Sequence, residues 1–349
     1  MAKQLEIRGR RVERPFLQGG MGIGISLGGL AGAVAKEGGI GVISAAQIGF
    51  REENFRKEPQ KANLLAMERE YRKAREIAGK GWIGFNIMTV MSCYRESVEK
   101  AKELSADLII SGAGLPMDLP GYVKDSPICL GVIVSTARSA EILLKYWGKK
   151  YRRMPELLII EGPMAGGHLG FQKEQLDLYQ TVGYETEIRK IMEVAKGYEN
   201  AYQVPIPVIL AGGIGEKSQA EEAFRLGADG IQVATRLIAT WECDAHPRYK
   251  ERYVTAGKEE VELIKSPVGM PGRAISNTLT KRLKTERIPP AGCTRCLKSC
   301  HPKSTPYCIT EALIRAAEGD IEEGLLFCGG NVASVKKMEG VKEVIDSLV

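Results

Sequence analysis

The chain has 349 residues, of which 44% are hydrophobic, and a formal net charge of +6. This size and composition indicate a globular protein with a sizeable core, built as one large α/β barrel or as two domains. No apolar run approaches the roughly 20 residues that span a bilayer, and the charged amino terminus lacks the apolar region of a signal peptide, so we expect a cytoplasmic protein without a membrane partner. The basic runs at 145–153 and 281–287 carry no nucleic-acid motif, which favours solvated faces over nucleic-acid binding.

Apolar segments rich in β-branched residues alternate with charged, helix-like segments along the first two thirds of the chain. This rhythm is typical of repeated βα units, so we predict a TIM-type (β/α)8 barrel over residues 1–240. The eight predicted strands are Phe16–Gly20, Gly41–Ile43, Ile83–Asn86, Leu108–Ile110, Ile128–Val134, Leu157–Ile160, Val208–Ala211 and Gly230–Val233.

Helices are predicted between these strands. They cover Leu30–Glu37, Asn54–Ala78, Tyr94–Leu104, Ser135–Trp147, Thr186–Lys196 and Ser218–Leu226. The second of them is longer than a simple crossover requires, so it is either a lid-like insertion or a surface helix.

The alternation stops after Ala239. Residues 241–290 are predicted as a helical cap, an excursion of helix and loop that returns to the active site. Residues 291–349 are predicted as a Cys-rich C-terminal segment with helices at Ile309–Ala317 and Val335–Leu348.

The segment 161–170 follows a buried-strand pattern and contains one of only three histidines in the chain. Gly166 and Gly167 lack Cβ atoms, which lets a flat ligand approach closely beside His168. The imidazole then either serves as a base or satisfies a hydrogen bond within a glycine-rich turn.

Two glycine loops indicate a phosphate site. Gly212 and Gly213 follow the seventh predicted strand, and Thr235 follows the eighth with a hydroxyl group. Loops in these positions bind phosphate in barrels because their backbone N–H groups converge and a helix amino terminus adds positive potential. Plain tight turns are the alternative.

Two further strand ends carry groups suited to a flat heterocycle. Gly20 and Met21 either lie against such a ring or form a glycine-rich strand end with a core methionine. Asn86 offers an amide that either binds the edge of the ring or belongs to a turn. The glycines at 19–22 do not form a dinucleotide fingerprint, because no helix follows them with the required spacing.

Four of the eight cysteines lie close together, at Cys293, Cys296, Cys300 and Cys308. Thiolates select zinc or an iron–sulfur cluster, so this spacing predicts a four-cysteine metal site that holds a 4Fe–4S cluster or zinc. Unligated thiols are the alternative, since the spacing departs from that of a zinc ribbon. His246 either caps the following helix or acts as a ligand or base.

Seven motifs, in this order, resemble the nitronate monooxygenase (2-nitropropane dioxygenase) family. They are Gln18–Met21, Gly84–Met88, Ser111–Gly114, Glu161 with Ala165–His168, Ala211–Ile214, Gln232–Arg236 and Arg273–Asn277. The family has a flavin-dependent barrel and includes the FMN-containing enoyl-acyl carrier protein reductases. The resemblance covers about Pro15 to Asn277.

The resemblance implies a role for each matched residue. His168 is implied to be catalytic, near the reactive edge of the isoalloxazine. The implied flavin-binding residues are Gly20, Met21, Asn86, Glu161, Gly166, Gly167 and Gln232, and the implied phosphate-binding residues are Gly212, Gly213, Ala234 and Thr235. The family usually has glycine where Ala234 stands, which departs from the close backbone approach expected there.

The resemblance implies an FMN-dependent oxidoreductase, first of all a nitronate monooxygenase. An NAD(P)H-dependent enoyl thioester reductase is the alternative, because both reactions fit one pocket. A third hypothesis is an electron-transfer module that meets a redox partner through its cysteine segment. The expected substrate is accordingly a small molecule or an acyl thioester, and a homodimer is left open.

Overall fold

The computed structural model describes residues 5–349. The strands in this range are β1 (Glu6–Ile7), β2 (Arg10–Arg11), β3 (Phe16–Gln18), β4 (Ile40–Ser44), β5 (Trp82–Met88), β6 (Leu108–Gly112), β7 (Cys129–Val134), β8 (Leu157–Glu161), β9 (Gly167–His168), β10 (Val208–Ala211), β11 (Gly230–Val233), β12 (Val261–Lys265) and β13 (Pro271–Ile275). Strands β3 to β8 with β10 and β11 pair in parallel and close into a barrel. The predicted (β/α)8 barrel is therefore confirmed, and each predicted strand is present with its ends shifted by at most two residues.

Helices surround the barrel. They are α1 (Gly28–Lys36), α2 (Pro59–Ala78), α3 (Tyr94–Glu103), α4 (Leu119–Tyr122), α5 (Ala137–Tyr151), α6 (Lys173–Val182), α7 (Glu185–Tyr202), α8 (Lys217–Arg225), α9 (Thr235–Ile238), α10 (Pro247–Thr255), α11 (Thr278–Arg282), α12 (Ile309–Ala317) and α13 (Val341–Asp346), with 3₁₀ turns at Lys258–Glu260 and Val332–Ser334. Helix α2 packs against α1 and β5 and links β4 to β5, so the long predicted segment is a crossover surface helix. No helix in the described range is long and apolar enough to cross a bilayer.

The amino-terminal end of the barrel is sealed by apolar side chains. Leu5, Ile7 and Val12, in and beside the β1–β2 hairpin, are 1% exposed and pack on the inward-facing residues of the strands. Those inward residues are Leu17, Ile40, Val42, Leu108, Ile110, Leu157, Ile159 and Ile209. Alternate residues of the same strands point outwards and pack under the helices. The loops at the carboxyl ends of the strands are therefore the part of the barrel left for chemistry.

A second, antiparallel sheet lies over those loops. Strands β12 and β13 form a hairpin, and β13 pairs with β9 so that Gly272 lies opposite His168. The prediction of helix and loop over 241–265 is correct for α10 and wrong for Val261–Lys265, which is a strand. The excursion after the barrel thus holds the loop that carries His168.

The C-terminal segment packs on the rest of the protein. Leu297, Tyr307 and Leu325 share one apolar cluster with Ile264 and Ala274 of the hairpin. Residues further along the segment enter the cluster between the barrel and its helices; they are Leu326, Cys328, Val332, Val335, Val341 and Val344. The helix predicted over 335–348 is shorter than expected, because α13 begins only after Gly340.

Candidate active site

One cavity of about 430 Å³ lies among the loops that follow the barrel strands. All twelve residues predicted for catalysis and cofactor binding line it. They are Gly20, Met21, Asn86, Glu161, Gly166, Gly167, His168, Gly212, Gly213, Gln232, Ala234 and Thr235. The structure thus brings the predicted residues together, and their individual roles stay predictions.

His168 is held on two sides. Its Nε2 atom lies 2.8 Å from Ser266 Oγ, and its ring meets the ring of Phe327 edge to face, with 4.9 Å between the centroids. Burial lowers the pKa of His168 to about 4. The imidazole is therefore neutral at physiological pH, and Nδ1 is the ring nitrogen left without a partner among residues 5–349.

Ser266 fixes the orientation of that ring. It is 8% exposed, and its Oγ accepts a hydrogen bond from the backbone N–H of Val268 at 3.3 Å. If Oγ also accepts from Nε2–H, the lone pair of Nδ1 is free to take a proton; if the hydroxyl donates instead, Nδ1 carries the hydrogen. The Ser266 contact therefore sets the tautomer of His168, and with it whether Nδ1 accepts or donates a proton. Nothing in the motif pattern singled out Ser266.

Glu161 is the second titratable group in the cavity. Burial raises the pKa of its carboxyl group to about 7, and within residues 5–349 it has no hydrogen-bond partner. Glu161 and His168 thus lie in one cavity with pKa values displaced in opposite directions. Such a pair is a frequent mark of functional sites.

We predict that Glu161→Gln changes the dependence of stability on pH. Since the folded state raises the pKa from 4.5 to about 7, it holds the proton more tightly than the unfolded chain does. Wild-type stability should therefore fall relative to the variant as the pH rises through that window, by at most about 3 kcal/mol. Thermal unfolding of FMN-free protein at pH 5 and pH 8 measures this. If the melting temperatures of the wild type and the variant differ by the same amount at pH 5 and at pH 8, the prediction is contradicted.

The loop after β10 has the geometry of an anion site. Gly212 and Gly213 adopt φ of +93° and +90°, so two successive residues are in the left-handed region. Glycine loops in this position of a barrel bind phosphate through their backbone N–H groups. The side-chain amide of Asn331 donates to the carbonyl of Gly213, and Thr235 Oγ1 accepts from the N–H of Gly329 at 3.0 Å. The hydroxyl hydrogen of Thr235 therefore stays available to a ligand.

Arg236 stands beside this loop with its charge balanced. Its guanidinium group donates to Gly215 O at 2.6 Å and pairs with Glu339 at 2.6 Å. The helix that follows β11 is α9, a single turn, so the helix amino terminus expected from the sequence is short. The anion site thus consists chiefly of backbone N–H groups and the Thr235 hydroxyl.

The C-terminal segment forms one wall of the cavity, a position that the sequence did not predict for it. Phe327, Cys328, Gly329, Asn331 and Ser334 line it. The contact is tight, because a Cβ atom on Gly166 would lie 2.6 Å from the carbonyl carbon of Cys328. The apolar residues 325–327, followed by Gly329 and Gly330, repeat the strand-end pattern of the barrel and could have signalled this.

The cavity fits the FMN that the motifs imply. Gln232 is 9% exposed, lines the cavity and has no hydrogen-bond partner in the described part of the chain, so its amide is free for a ligand. A Cβ atom on Gly20 would lie 2.3 Å from Asn86 Cβ, so only glycine lets these strand ends approach one another. Side-chain amides that can bind the edge of a ring are thus present in the cavity, and the anion loop lies at the same end of the barrel.

The predicted four-cysteine metal site is not supported. Within residues 5–349, no group of three or more His, Cys, Asp or Glu side chains is placed to hold a metal ion. Cys293 is exposed, whereas Cys296 and Cys300 pack against an apolar cluster, and Cys308 is half-buried. Burial raises the pKa values of the Cys296 and Cys308 thiols, so both are protonated in the metal-free chain.

The other candidate ligand, His246, has a structural role. His246 is the N-cap of α10, where its Nδ1 accepts from the N–H of Arg248 at 3.2 Å, so the capping prediction is confirmed. Cys328 is buried, which raises its pKa to about 12.

A flavin-dependent oxidoreductase needs an anion site, a surface for the ring and a proton-exchanging side chain between them. A closed (β/α)8 barrel presents all three here at the carboxyl ends of its strands. Fold and cavity together therefore have the features that an FMN-dependent barrel oxidoreductase requires.

Comparison with known proteins narrows this class. The sequence model of the nitronate monooxygenase family matches residues 5–349, so the chain belongs to that family, as its motifs predicted. A probable nitronate monooxygenase of Bacillus subtilis (strain 168) is 23% identical over 241 residues, which are 67% of this chain and 60% of the relative. The chain thus spans about three fifths of the length of that relative.

Two solved structures support the fold. FabK from Thermotoga maritima is 24% identical, with a TM-score of 0.74 over 97% of this chain and 92% of that chain. A nitroalkane oxidase from Streptomyces ansochromogenes is 18% identical, with a TM-score of 0.71 over 96% of this chain and 94% of that chain.

Proposed function

We propose that the protein oxidises alkyl nitronates with FMN as its cofactor. The observation that carries the proposal is the neutral, half-buried His168 in the same cavity as the anion loop and the unpartnered amide of Gln232. The family match supports the reaction class. When bound, FMN supplies the acceptor for the electrons of the substrate, and oxygen is the second substrate.

Separate groups of residues would bind the phosphate, the flavin ring and the substrate. Gly212, Gly213 and Thr235 would bind the phosphate, and Gln232 would bind the edge of the ring. His168, steadied by Ser266, would orient the nitronate oxygens or accept the α-proton of the neutral nitroalkane at Nδ1. The buried surroundings of His168 would exclude water and keep the imidazole neutral, which a base requires.

NAD(P)H-dependent reduction of an enoyl thioester is the second candidate. The low pKa of His168 favours it as well, because a neutral imidazole can donate an N–H to a thioester carbonyl. Electron exchange with a redox protein, and assembly as a homodimer, remain hypotheses from the sequence.

Flavin bleaching under anaerobic conditions separates these candidates. We expect the flavin absorption of the purified holoenzyme to bleach on addition of a nitronate without any nicotinamide. Bleaching by NADH or NADPH, with no response to nitronates, would instead favour the enoyl reductase. Failure with both, together with fast electron exchange with ferredoxin, would favour the electron-transfer module.

A further inference from the structure

A second cavity, which we call the tail cavity, adjoins the active site. Its volume is about 760 Å³, within the roughly 300–1,000 Å³ usual for small-molecule sites. Ala46, Met88, His168 and Leu313 line both this cavity and the active-site cavity. The two spaces therefore meet at the imidazole.

The walls of the tail cavity are mainly apolar and come from separate parts of the chain. They include Ile23, Leu64, Met91, Val268, Leu297 and Ile309. Leu297 and Ile309 belong to the Cys-rich segment and are 8% and 6% exposed. The Cys-rich segment thus forms one side of the cavity.

The lysines of the tail cavity are already paired with acids. Lys61 lies 3.6 Å from Glu58, and Lys100 lies 2.9 Å from Glu68 and 3.1 Å from Glu103. Arg295, the third cation that lines the cavity, is exposed. Apolar contact, rather than attraction to the lysines, is therefore the interaction that the interior of the cavity offers to the body of a ligand.

We propose that the tail cavity binds the aliphatic chain of the substrate while the reacting end lies beside His168. The inference rests on the proposed function and narrows it to linear alkyl nitronates of medium chain length. The Cys-rich segment then sets the chain length that fits, since Leu297 and Ile309 form its side of the cavity.

A series of nitronates from nitroethane to 1-nitrodecane tests this on the holoenzyme. We expect kcat/KM to rise by about threefold to fourfold for each added methylene until the cavity is full. Leu297→Trp should lower the ratio of kcat/KM for nitronates of 1-nitrooctane and nitroethane by roughly tenfold or more. The matched control is Leu178→Trp, on α6, where the side chain is 53% exposed and lines neither cavity; it should leave the ratio unchanged.

A binding measurement covers the case in which the Leu297 variant does not fold. The alcohol 1-octanol lacks a reacting group, and it should bind the wild-type holoenzyme in calorimetry and compete with 1-nitrooctane nitronate, whereas ethanol should not. Turnover of nitroethane nitronate with no effect of chain length, and no binding of 1-octanol, would overturn the tail-cavity inference alone. Absence of turnover with every nitronate, while 1-octanol still binds, would overturn the proposed reaction and leave the apolar subsite standing.

Discussion

His168→Ala is expected to lower kcat/KM for the nitronate by about 10²- to 10⁴-fold while FMN stays bound. The loss follows because Nδ1 of His168 is the unpartnered nitrogen of a neutral imidazole that lines the cavity. FMN should stay because the anion loop at Gly212 and Gly213 does not contain this residue. Stopped-flow flavin reduction gives the rate, and the flavin absorbance per protein gives the occupancy.

A second histidine supplies the control for this experiment. His246→Ala removes the N-cap of α10, and His246 itself lines neither cavity, so this variant should cost about 1 kcal/mol of stability and leave turnover intact. Ser266→Ala should give a smaller loss of kcat than His168→Ala, since it removes only the contact that orients the ring. Turnover at the wild-type rate in His168→Ala would remove this imidazole from the mechanism.

The barrel could be predicted from the sequence because its strands are specified locally. Residues Leu157–Ile160 of β8 and strand Val208–Ala211 are buried on both faces, so each is a short continuous apolar run. Glycine or asparagine follows several of these runs at the same end of the barrel. A strand-end motif therefore also predicts a position in the cavity, and this is why the twelve predicted residues meet there.

The second sheet could not be predicted in the same way. β9 has only two residues, Gly167 and His168, and it is a strand because β13 pairs with it from a distant part of the chain. Likewise, the N–H of Gly330 donates to Met164 O at 3.0 Å, a contact that no local pattern contains. Hydrophobic periodicity and turn residues are local signals, so they do not predict pairing between segments that are distant in the sequence.

The cysteine spacing does not by itself establish a metal site, for a related physical reason. Cys293 and Cys296 are neighbours in sequence, but a metal site requires thiols that converge on one point as well as short intervals between them. The segment instead turns Cys296 towards an apolar cluster that contains Leu297 and Tyr307. Burial of the thiol in that cluster competes with ligation, and the spacing alone carries no information about this competition.

Gly212→Ala is expected to weaken FMN binding by roughly tenfold or more. A side chain at φ of +93° is strained by about 1–3 kcal/mol, and about 1.4 kcal/mol corresponds to one tenfold step in affinity. The new Cβ would also lie 2.7 Å from Gly162 O, so backbone on one side of the loop must move. Titration of FMN into the FMN-free variant, followed by quenching of flavin fluorescence, measures the change.

Alanine variants of two other glycines are the controls for the loss of FMN affinity expected in Gly212→Ala. Gly197→Ala lies in α7 with open space around it, so it should bind FMN like the wild type and gain about 0.5–1 kcal/mol of stability. Gly183→Ala has φ of +77°, no atom within 4 Å of the added Cβ and a position outside both cavities, so it adds backbone strain without a collision. Since Gly212 combines strain with a collision inside the cavity, its variant should bind FMN more weakly than the Gly183 variant. Wild-type affinity in Gly212→Ala would place the phosphate away from the loop after β10.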